Sequence, residues 1–112
     1  MTTDTNQTAI QELDEITFDE AVGQTHLLLV DFWASWCGPC LALAPILEAY
    51  VEANPGVTLA KVNVDEQVAL AQRFQVMSIP TVMLYVDGEL ALRFAGSVGS
   101  AELEKRLSPF IK

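Results

Sequence analysis

Hydrophobic residues along the chain cluster in short blocks, and the period of each block predicts its secondary structure. The block LLLVDFWA at 27–34 is apolar on both faces, which is typical of a central strand that is buried on both sides. Two further blocks flank Asp87-Gly88, a dipeptide that favours the primed turn of a β-hairpin. Strands are predicted at 10–13, 27–34, 57–64, 81–86 and 89–94.

Four other segments have the period or the end signals of helices. Thr17 followed by Glu20 resembles a capping box, so a short helix is predicted over about 17–22, with Gly23 ending it. The other helices are predicted from Cys37 to the stop signal at 54–56, from Asp65 to Phe74, and from a cap at Ser100 through Leu103, Leu107, Phe110 and Ile111.

The resulting order of elements, βαβαβαββα, predicts an α/β fold with a mixed sheet of about five strands and about four helices on its two faces. The chain has 112 residues, of which 51% are hydrophobic, and this is enough for one core. Residues 1–9 are mostly polar and are predicted to form a flexible N-terminal tail. Residues 10–112 are predicted to form a single domain.

The formal net charge of −9 is unevenly distributed. All six basic residues follow position 60, so the first half of the chain offers no Lys or Arg. Nucleic acids and anionic membranes are bound through a basic surface, and the charge therefore argues against both as partners. The longest apolar run, 27–36, is too short to span a bilayer. Because the N-terminus lacks the pattern of a signal peptide, the sequence predicts a cytoplasmic protein.

The only two cysteines, Cys37 and Cys40, lie where the buried strand gives way to a helix. Cys37 is then at a helix N-terminus and Cys40 one turn further along the same side, which permits a disulfide between them. The free amides and the helix dipole stabilise a thiolate, so the pKa of Cys37 is expected below the free value of ~8.5. Gly38 allows close approach of another chain, and Pro39 suits the first helical turn. This pattern favours reversible dithiol–disulfide exchange.

Other uses of a cysteine pair fit less well. A structural zinc site needs four ligands, and the chain offers two cysteines and the distant His26. Covalent haem attachment needs a histidine at the position of Leu41. A permanent disulfide closing so short a loop would restrict the unfolded chain very little. The sequence therefore predicts no metal and no bound cofactor, apart from a redox-active disulfide between Cys37 and Cys40.

With these residues the sequence resembles the thioredoxin family over roughly positions 10–111. The resemblance is carried by Gly96 and by the stretches VDFWASWCGPC, APIL, KVNVDE and SIPTVMLYVDGE. It implies the thioredoxin fold and a general protein-disulfide reductase. It also implies an NADPH-dependent thioredoxin reductase as electron donor, disulfide-containing client proteins such as reductases and peroxidases, and a monomeric state.

The resemblance further implies a role for individual residues. Cys37 is the nucleophile, and Cys40 is the resolving, more buried thiol. Asp31 corresponds to a buried carboxylate that assists proton transfer at Cys40, and Lys61 to the lysine near that carboxylate. The implied substrate-binding residues are Trp36, Gly38, Pro39, Ile79, Pro80 as a cis-proline, and Gly96, with Trp33 and Pro45 as structural support.

Taken by themselves, the residues leave some of these roles open. A lone buried aspartate such as Asp31 is as often a structural hydrogen bonder as a proton acceptor, but its place six residues before Cys37 favours an acceptor with a raised pKa. Lys61 alone would be a solvated lysine, and Pro80 an ordinary trans-proline starting a strand. Leu41 stands where the family commonly has a basic residue. An alternative function is a thioredoxin-fold binding module or holdase with an incidental CxxC.

Overall fold

The computed structural model describes residues 10–111 and has the predicted order of strands and helices. The predicted tail, residues 1–9, lies outside the described residues. The elements are β1 (Gln11–Glu12), α1 (Glu15–Gln24), β2 (Leu27–Trp33), α2 (Gly38–Ala53), β3 (Thr58–Asn63), α3 (Val68–Arg73), β4 (Thr81–Val86), β5 (Glu89–Ala95) and α4 (Ser100–Leu107).

The five strands form one sheet in the order β1-β3-β2-β4-β5. Strands β1, β3 and β2 run parallel, whereas β4 is antiparallel to β2, and β5 is antiparallel to β4. This mixed five-stranded sheet with four helices confirms the predicted fold class. Because β2 is the central strand, it has a neighbour on each side and helices above and below, which explains why its sequence is apolar on both faces.

The side chains of β2 alternate between two cores, one on each face of the sheet. Leu28 packs in a core with Phe18 of α1 and Leu70 of α3. Leu29 packs in the opposite core, whose helical members come from α2 and α4: Leu43, Leu47, Leu103 and Leu107. By the two-residue period of a strand, Asp31 lies on the same face as Leu29. The fold therefore places a carboxylate beneath α2.

The predicted hairpin is confirmed, including its turn. Asp87 and Gly88 connect β4 to β5 and both have positive φ, 51° and 85°. Positive φ at both central positions is the requirement of a type I′ turn, whose twist matches that of the flanking strands. Glycine adopts this conformation without strain, and aspartate is among the few other residues that tolerate it.

The start of α1 differs from the prediction, because Asp14 and not Thr17 is its N-cap. The Asp14 Oδ1 accepts hydrogen bonds from the amides of Ile16 (3.0 Å) and Thr17 (2.8 Å), and the Thr17 hydroxyl oxygen accepts one from the Asp14 amide (2.8 Å). Aspartate is a better N-cap than threonine, so Thr17 becomes the reciprocal member of the capping box. The helix also continues through Gly23, since glycine weakens a helix without necessarily ending it.

Helix α3 begins at Val68, three residues later than predicted. The reason is a turn made by the side chain of Asn63 at the end of β3. Its Oδ1 accepts hydrogen bonds from the amides of Asp65 (2.9 Å) and Glu66 (3.3 Å). Asparagine side chains compete with helical hydrogen bonding in this way, and they favour a turn where a helix would otherwise start.

Helix α4 has Gly99 as its N-cap, and Ser100 is its first residue rather than its cap. Glycine is itself tolerated at the N-cap, and no side-chain hydrogen bond is made there. The helix ends at Leu107, so Phe110 and Ile111 lie beyond it rather than on its apolar face. None of the four helices described between residues 10 and 111 has the length and the apolar content that crossing a membrane would need.

Candidate active site

The two cysteines lie at the junction of β2 and α2, as their spacing predicts. Cys37 is the N-cap of α2, with an extended backbone (φ −91°, ψ 107°), and Gly38 and Pro39 begin the helix. The Cys37 carbonyl oxygen accepts a hydrogen bond from the Leu41 amide (3.1 Å). Pro39 lacks an N–H at a position where helical amides have no partner within the helix, and it therefore leaves the first turn intact.

Cys37 and Cys40 are joined by a disulfide, with their Cα atoms 5.2 Å apart. The Cys37 sulfur accepts a hydrogen bond from the Cys40 amide (3.2 Å), the role that a side-chain oxygen has at most N-caps. Both residues are buried, Cys37 at 4% and Cys40 at 1% exposure. When the disulfide is reduced, the same amide and the helix dipole stabilise a thiolate on Cys37.

A second segment, between α3 and β4, also reaches the disulfide. The Cys37 sulfur lies 3.8 Å from the carbonyl oxygen of Ile79. The Ile79–Pro80 peptide bond is cis, as the resemblance implied. The Pro80 carbonyl oxygen accepts a hydrogen bond from the amide of Gly96 (2.8 Å), whose φ of 97° suits glycine. Residues from β2–α2, the α3–β4 loop and the end of β5 therefore meet at one site.

Asp31 is fully buried, and neither of its carboxylate oxygens has a hydrogen-bond partner within residues 10–111. Burial raises the pKa of Asp31 from 3.8 to about 6, because a charged carboxylate loses its solvation there. The positive charge of Lys61 opposes this rise in pKa, and the negative charge of Glu12 adds to it. At neutral pH this carboxyl group is close enough to its pKa to accept or donate a proton.

Lys61 is the direct neighbour of Asp31 across β2 and β3, and its own neighbour on β1 is Glu12. Its ammonium lies 5.0 Å from the centre of the Trp33 ring, a distance typical of a cation–π contact. Trp33 is half-buried and packs against the cluster that Ala34, Cys37 and Cys40 form. The Trp33 side chain therefore contacts both Lys61 and the cluster that contains the disulfide.

Trp36 is 69% exposed beside the disulfide, and its indole N–H donates a hydrogen bond to a carboxylate oxygen of Asp65 (2.8 Å). The sequence reasoning missed Asp65. A signal was present, because β2 and β3 are parallel neighbours and the residues that follow them come together at one edge of the sheet. Asp65 limits the orientations of an exposed indole and so shapes the surface beside Cys37.

Two more residues singled out from the sequence, Pro45 and Leu41, lie further along α2 than the cysteines. Pro45 is within α2, which continues through it to Ala53, and it lines a surface groove with Glu48 and Thr58. Leu41 is one turn beyond Cys37 on the same helix and is 53% exposed. Its apolar side chain adds to an exposed surface around the disulfide that already includes Trp36.

A cysteine pair that has formed a disulfide at a helix N-terminus, on this fold, defines the chain as a thiol–disulfide oxidoreductase. The family model for thioredoxin matches residues 9–109. The chain belongs to the thioredoxin family, and its activity is disulfide reduction.

Comparison of the chain with individual proteins shows the same family relationship. The chain is 39% identical over 105 residues to thioredoxin from Alicyclobacillus acidocaldarius, covering 93% of this chain and 100% of that protein. It is 40% identical over 103 residues to a bifunctional thioredoxin reductase/thioredoxin from Mycobacterium leprae, covering 91% of this chain and 22% of that protein. The oxidised form of mitochondrial thioredoxin 3 from Saccharomyces cerevisiae superposes with a TM-score of 0.84 at 34% identity, covering 92% of this chain and 97% of the other.

Proposed function

We propose that this oxidoreductase acts generally on protein disulfides, with Cys37 as the attacking thiol and Cys40 as the resolving thiol. The observation that carries this assignment is the position of Cys37, whose sulfur caps α2 and accepts a hydrogen bond from the Cys40 amide. That hydrogen bond favours the thiolate of Cys37, which is the reactive form. Cys40 is the less exposed of the two, as suits a thiol that reacts only within the complex.

The reaction consists of two thiol–disulfide exchanges, and neither of them needs a bound cofactor as electron donor or acceptor. The Cys37 thiolate attacks one sulfur of the client disulfide, forming a mixed disulfide and releasing the other client sulfur as a thiolate. The Cys40 thiolate then attacks the Cys37 sulfur, which breaks the mixed disulfide and releases the second client thiolate. Two electrons pass from the dithiol to the client, and the Cys37–Cys40 disulfide remains.

We assign the proton transfer at Cys40 to Asp31, with Lys61 acting on Asp31. The second exchange requires the Cys40 thiol to lose its proton, and a carboxylate with a pKa of about 6 is a suitable acceptor near neutral pH. The positive charge of Lys61 lowers the pKa of Asp31 and so keeps a larger fraction of it ionised.

Clients would bind to the surface around the disulfide. Trp36, Gly38 and Pro39 are exposed on the α2 side, and Ile79, Pro80 and Gly96 meet on the other. The apolar side chains on this surface favour an extended, largely uncharged client segment next to its cysteine. Trp33 and Pro45 would support the site without touching the client.

The oxidised chain needs an electron donor, and we propose an NADPH-dependent thioredoxin reductase. One relative is named as a bifunctional thioredoxin reductase/thioredoxin, which supports a reductase as the partner of this chain. We further propose that the chain works as a monomer in the cytoplasm, where thiols are kept reduced. Gel filtration with light scattering tests the monomer at micromolar concentration.

Reduction of insulin with dithiothreitol as donor tests the function, and the two single cysteine variants test the assignment. Cys37→Ser should abolish turnover, whereas Cys40→Ser should accumulate mixed disulfides that do not resolve. Circular dichroism of each variant controls for folding. Background rates for the parent chain would support a binding module instead, and parental turnover by Cys40→Ser would contradict the two-cysteine mechanism.

A further inference from the structure

The guanidinium group of Arg93 joins two consecutive carbonyl groups at the end of α3. One of its terminal nitrogens donates to the carbonyl oxygen of Phe74 (2.7 Å) and the other to that of Gln75 (3.0 Å). Arg93 lies on β5 opposite Met83, which belongs to the core that α3 covers. Strand β5 therefore directs two N–H groups of the guanidinium at the end of α3, where carbonyl groups lack partners within the helix.

The chain at this helix end has the hydrogen bonds of a Schellman motif. The amide of Gln75 donates to the carbonyl of Gln72 (3.1 Å), and the amide of Val76 donates to that of Ala71 (2.9 Å). Gln75 has a φ of 52°, in the left-handed region where glycine is the usual residue of this motif. A glutamine is strained there, and the two hydrogen bonds that Arg93 donates offset part of this strain.

The segment after Gln75 leads directly to the active site. It ends at Ile79 and Pro80, and the Ile79 carbonyl oxygen lies 3.8 Å from the Cys37 sulfur. Met77 within the segment is 92% exposed. Strand β5 and the residue that follows it hold both ends of this segment, through Arg93 at its start and through the Gly96–Pro80 hydrogen bond at its end.

We propose that Arg93 is a positioning residue for client recognition, because its bonds to the carbonyls of Phe74 and Gln75 fix the loop that presents Ile79 and Pro80. The proposal rests on the proposed function, in which that loop binds the client beside the disulfide. Arg93 does not contact Cys37, so it acts through the loop and not on the thiol. A small disulfide that needs no loop contact should therefore be insensitive to Arg93.

The test compares a protein substrate with a small one. Arg93→Met should raise the KM for insulin roughly fivefold with little change in kcat, as expected for loss of about one charged hydrogen bond. The rate with an uncharged small aromatic disulfide should stay within about twofold of the parent. Arg93→Lys should resemble Arg93→Met, because a single ammonium does not reproduce the two-pronged contact.

Two further variants separate positioning from a general loss of stability. Arg106→Met removes an arginine of α4 that pairs with Glu102 on the other face of the sheet, and it should leave both substrates unaffected. Gln75→Gly relieves the strain at positive φ, so combining it with Arg93→Met should restore most of the KM. Amide hydrogen exchange at Val76 should accelerate in Arg93→Met and recover in the double variant.

These measurements distinguish a failure of the positioning role of Arg93 from a failure of the proposed function. A parent chain that does not reduce insulin would contradict the proposed function, whereas the exchange rate at Val76 would still report on the contact. If the parent reduces insulin and Arg93→Met has the parental KM, the positioning role is wrong. An equal loss with both substrates, or an equal loss in Arg106→Met, would also overturn it.

Discussion

Asp14 and Asp31 have the same side chain in opposite surroundings. Asp14 is exposed at the start of α1, where one oxygen accepts hydrogen bonds from two backbone amides and the Thr17 hydroxyl. These bonds lower the pKa of Asp14, with the Thr17 amide as the largest cause. Asp31 is buried at the centre of the sheet without a hydrogen-bond partner among residues 10–111, and burial raises its pKa to about 6.

The comparison separates an aspartate that stabilises the fold from one for which we propose a role in the reaction. A carboxylate that is hydrogen-bonded at a helix N-terminus stabilises the fold in its charged form. A buried carboxyl group without partners destabilises the fold once it ionises, and folding alone gives no reason to keep it. Its position on the sheet face that α2 covers is the other reason, because Cys37 caps that helix and Cys40 lies within it. We therefore assign Asp14 to the stability of the fold and propose Asp31 as a participant in the reaction.

The largest expected effect is the pH dependence of stability. A carboxyl group whose folded pKa is raised binds more protons when folded than when unfolded, so stability falls as the pH rises through the window from about 4 to about 6. For Asp31 the loss is roughly 3 kcal/mol in the disulfide form. Asp31→Asn should lack this loss and be the more stable protein above pH 6.

Denaturant melts of the two proteins at several pH values between 4 and 8 measure this difference. Asp14 provides the matched contrast, because its lowered pKa gives stability that is present at neutral pH and is lost only as the pH falls through that pKa. A loss of several kcal/mol in Asp31→Asn at pH 7 would mean that Asp31 is a paired structural group after all.

The second effect is on the reaction rate. Asp31→Asn should slow the release of the mixed disulfide by about tenfold to a hundredfold near neutral pH, because Cys40 loses its proton acceptor. Asp14→Asn should react at the parental rate. Insulin reduction from pH 5 to 8 measures this, with the mixed disulfide trapped by acid at each time point. Equal pH profiles for Asp31→Asn and the parent would remove Asp31 from the mechanism.

A smaller effect is expected when the structural aspartate loses its side-chain oxygens. Asp14→Ala leaves the amides of Ile16 and Thr17 without their acceptor and should lower the Tm by a few degrees. Asp14→Asn should retain most of the Tm, since asparagine also caps helices well. Calorimetry of the three proteins decides this, and a parental Tm for Asp14→Ala would show that the cap is dispensable.

The smallest effect concerns Cys37, which occupies at α2 the place that Asp14 occupies at α1. Leu41→Lys adds a positive charge one turn from the sulfur and should favour its thiolate by up to about 1 kcal/mol at this partly exposed site. We expect roughly threefold faster reaction with a negatively charged small disulfide at low salt. The gain should shrink as salt is added, because exposed charges are screened. A gain that is independent of salt would contradict a charge effect.

Much of the fold followed from local patterns. The apolar block of β2 and the Asp87-Gly88 turn were predicted from periods and turn chemistry that involve only neighbouring residues. Helix ends were less certain where two residues compete for one role. Asp14 rather than Thr17 is the N-cap of α1, and the turn made by the Asn63 side chain places the start of α3 later than predicted.

The sequence by itself determined the elements and the place of Cys37 at a helix N-terminus, because both depend on residues close together in the chain. Only the tertiary structure decided which distant residues meet there. The contacts of Cys37 with Ile79, of Trp36 with Asp65, and of Arg93 with the end of α3 each join separate elements. Strand order and register create these contacts, and a shift of one residue in register would turn every side chain of a strand to the opposite face.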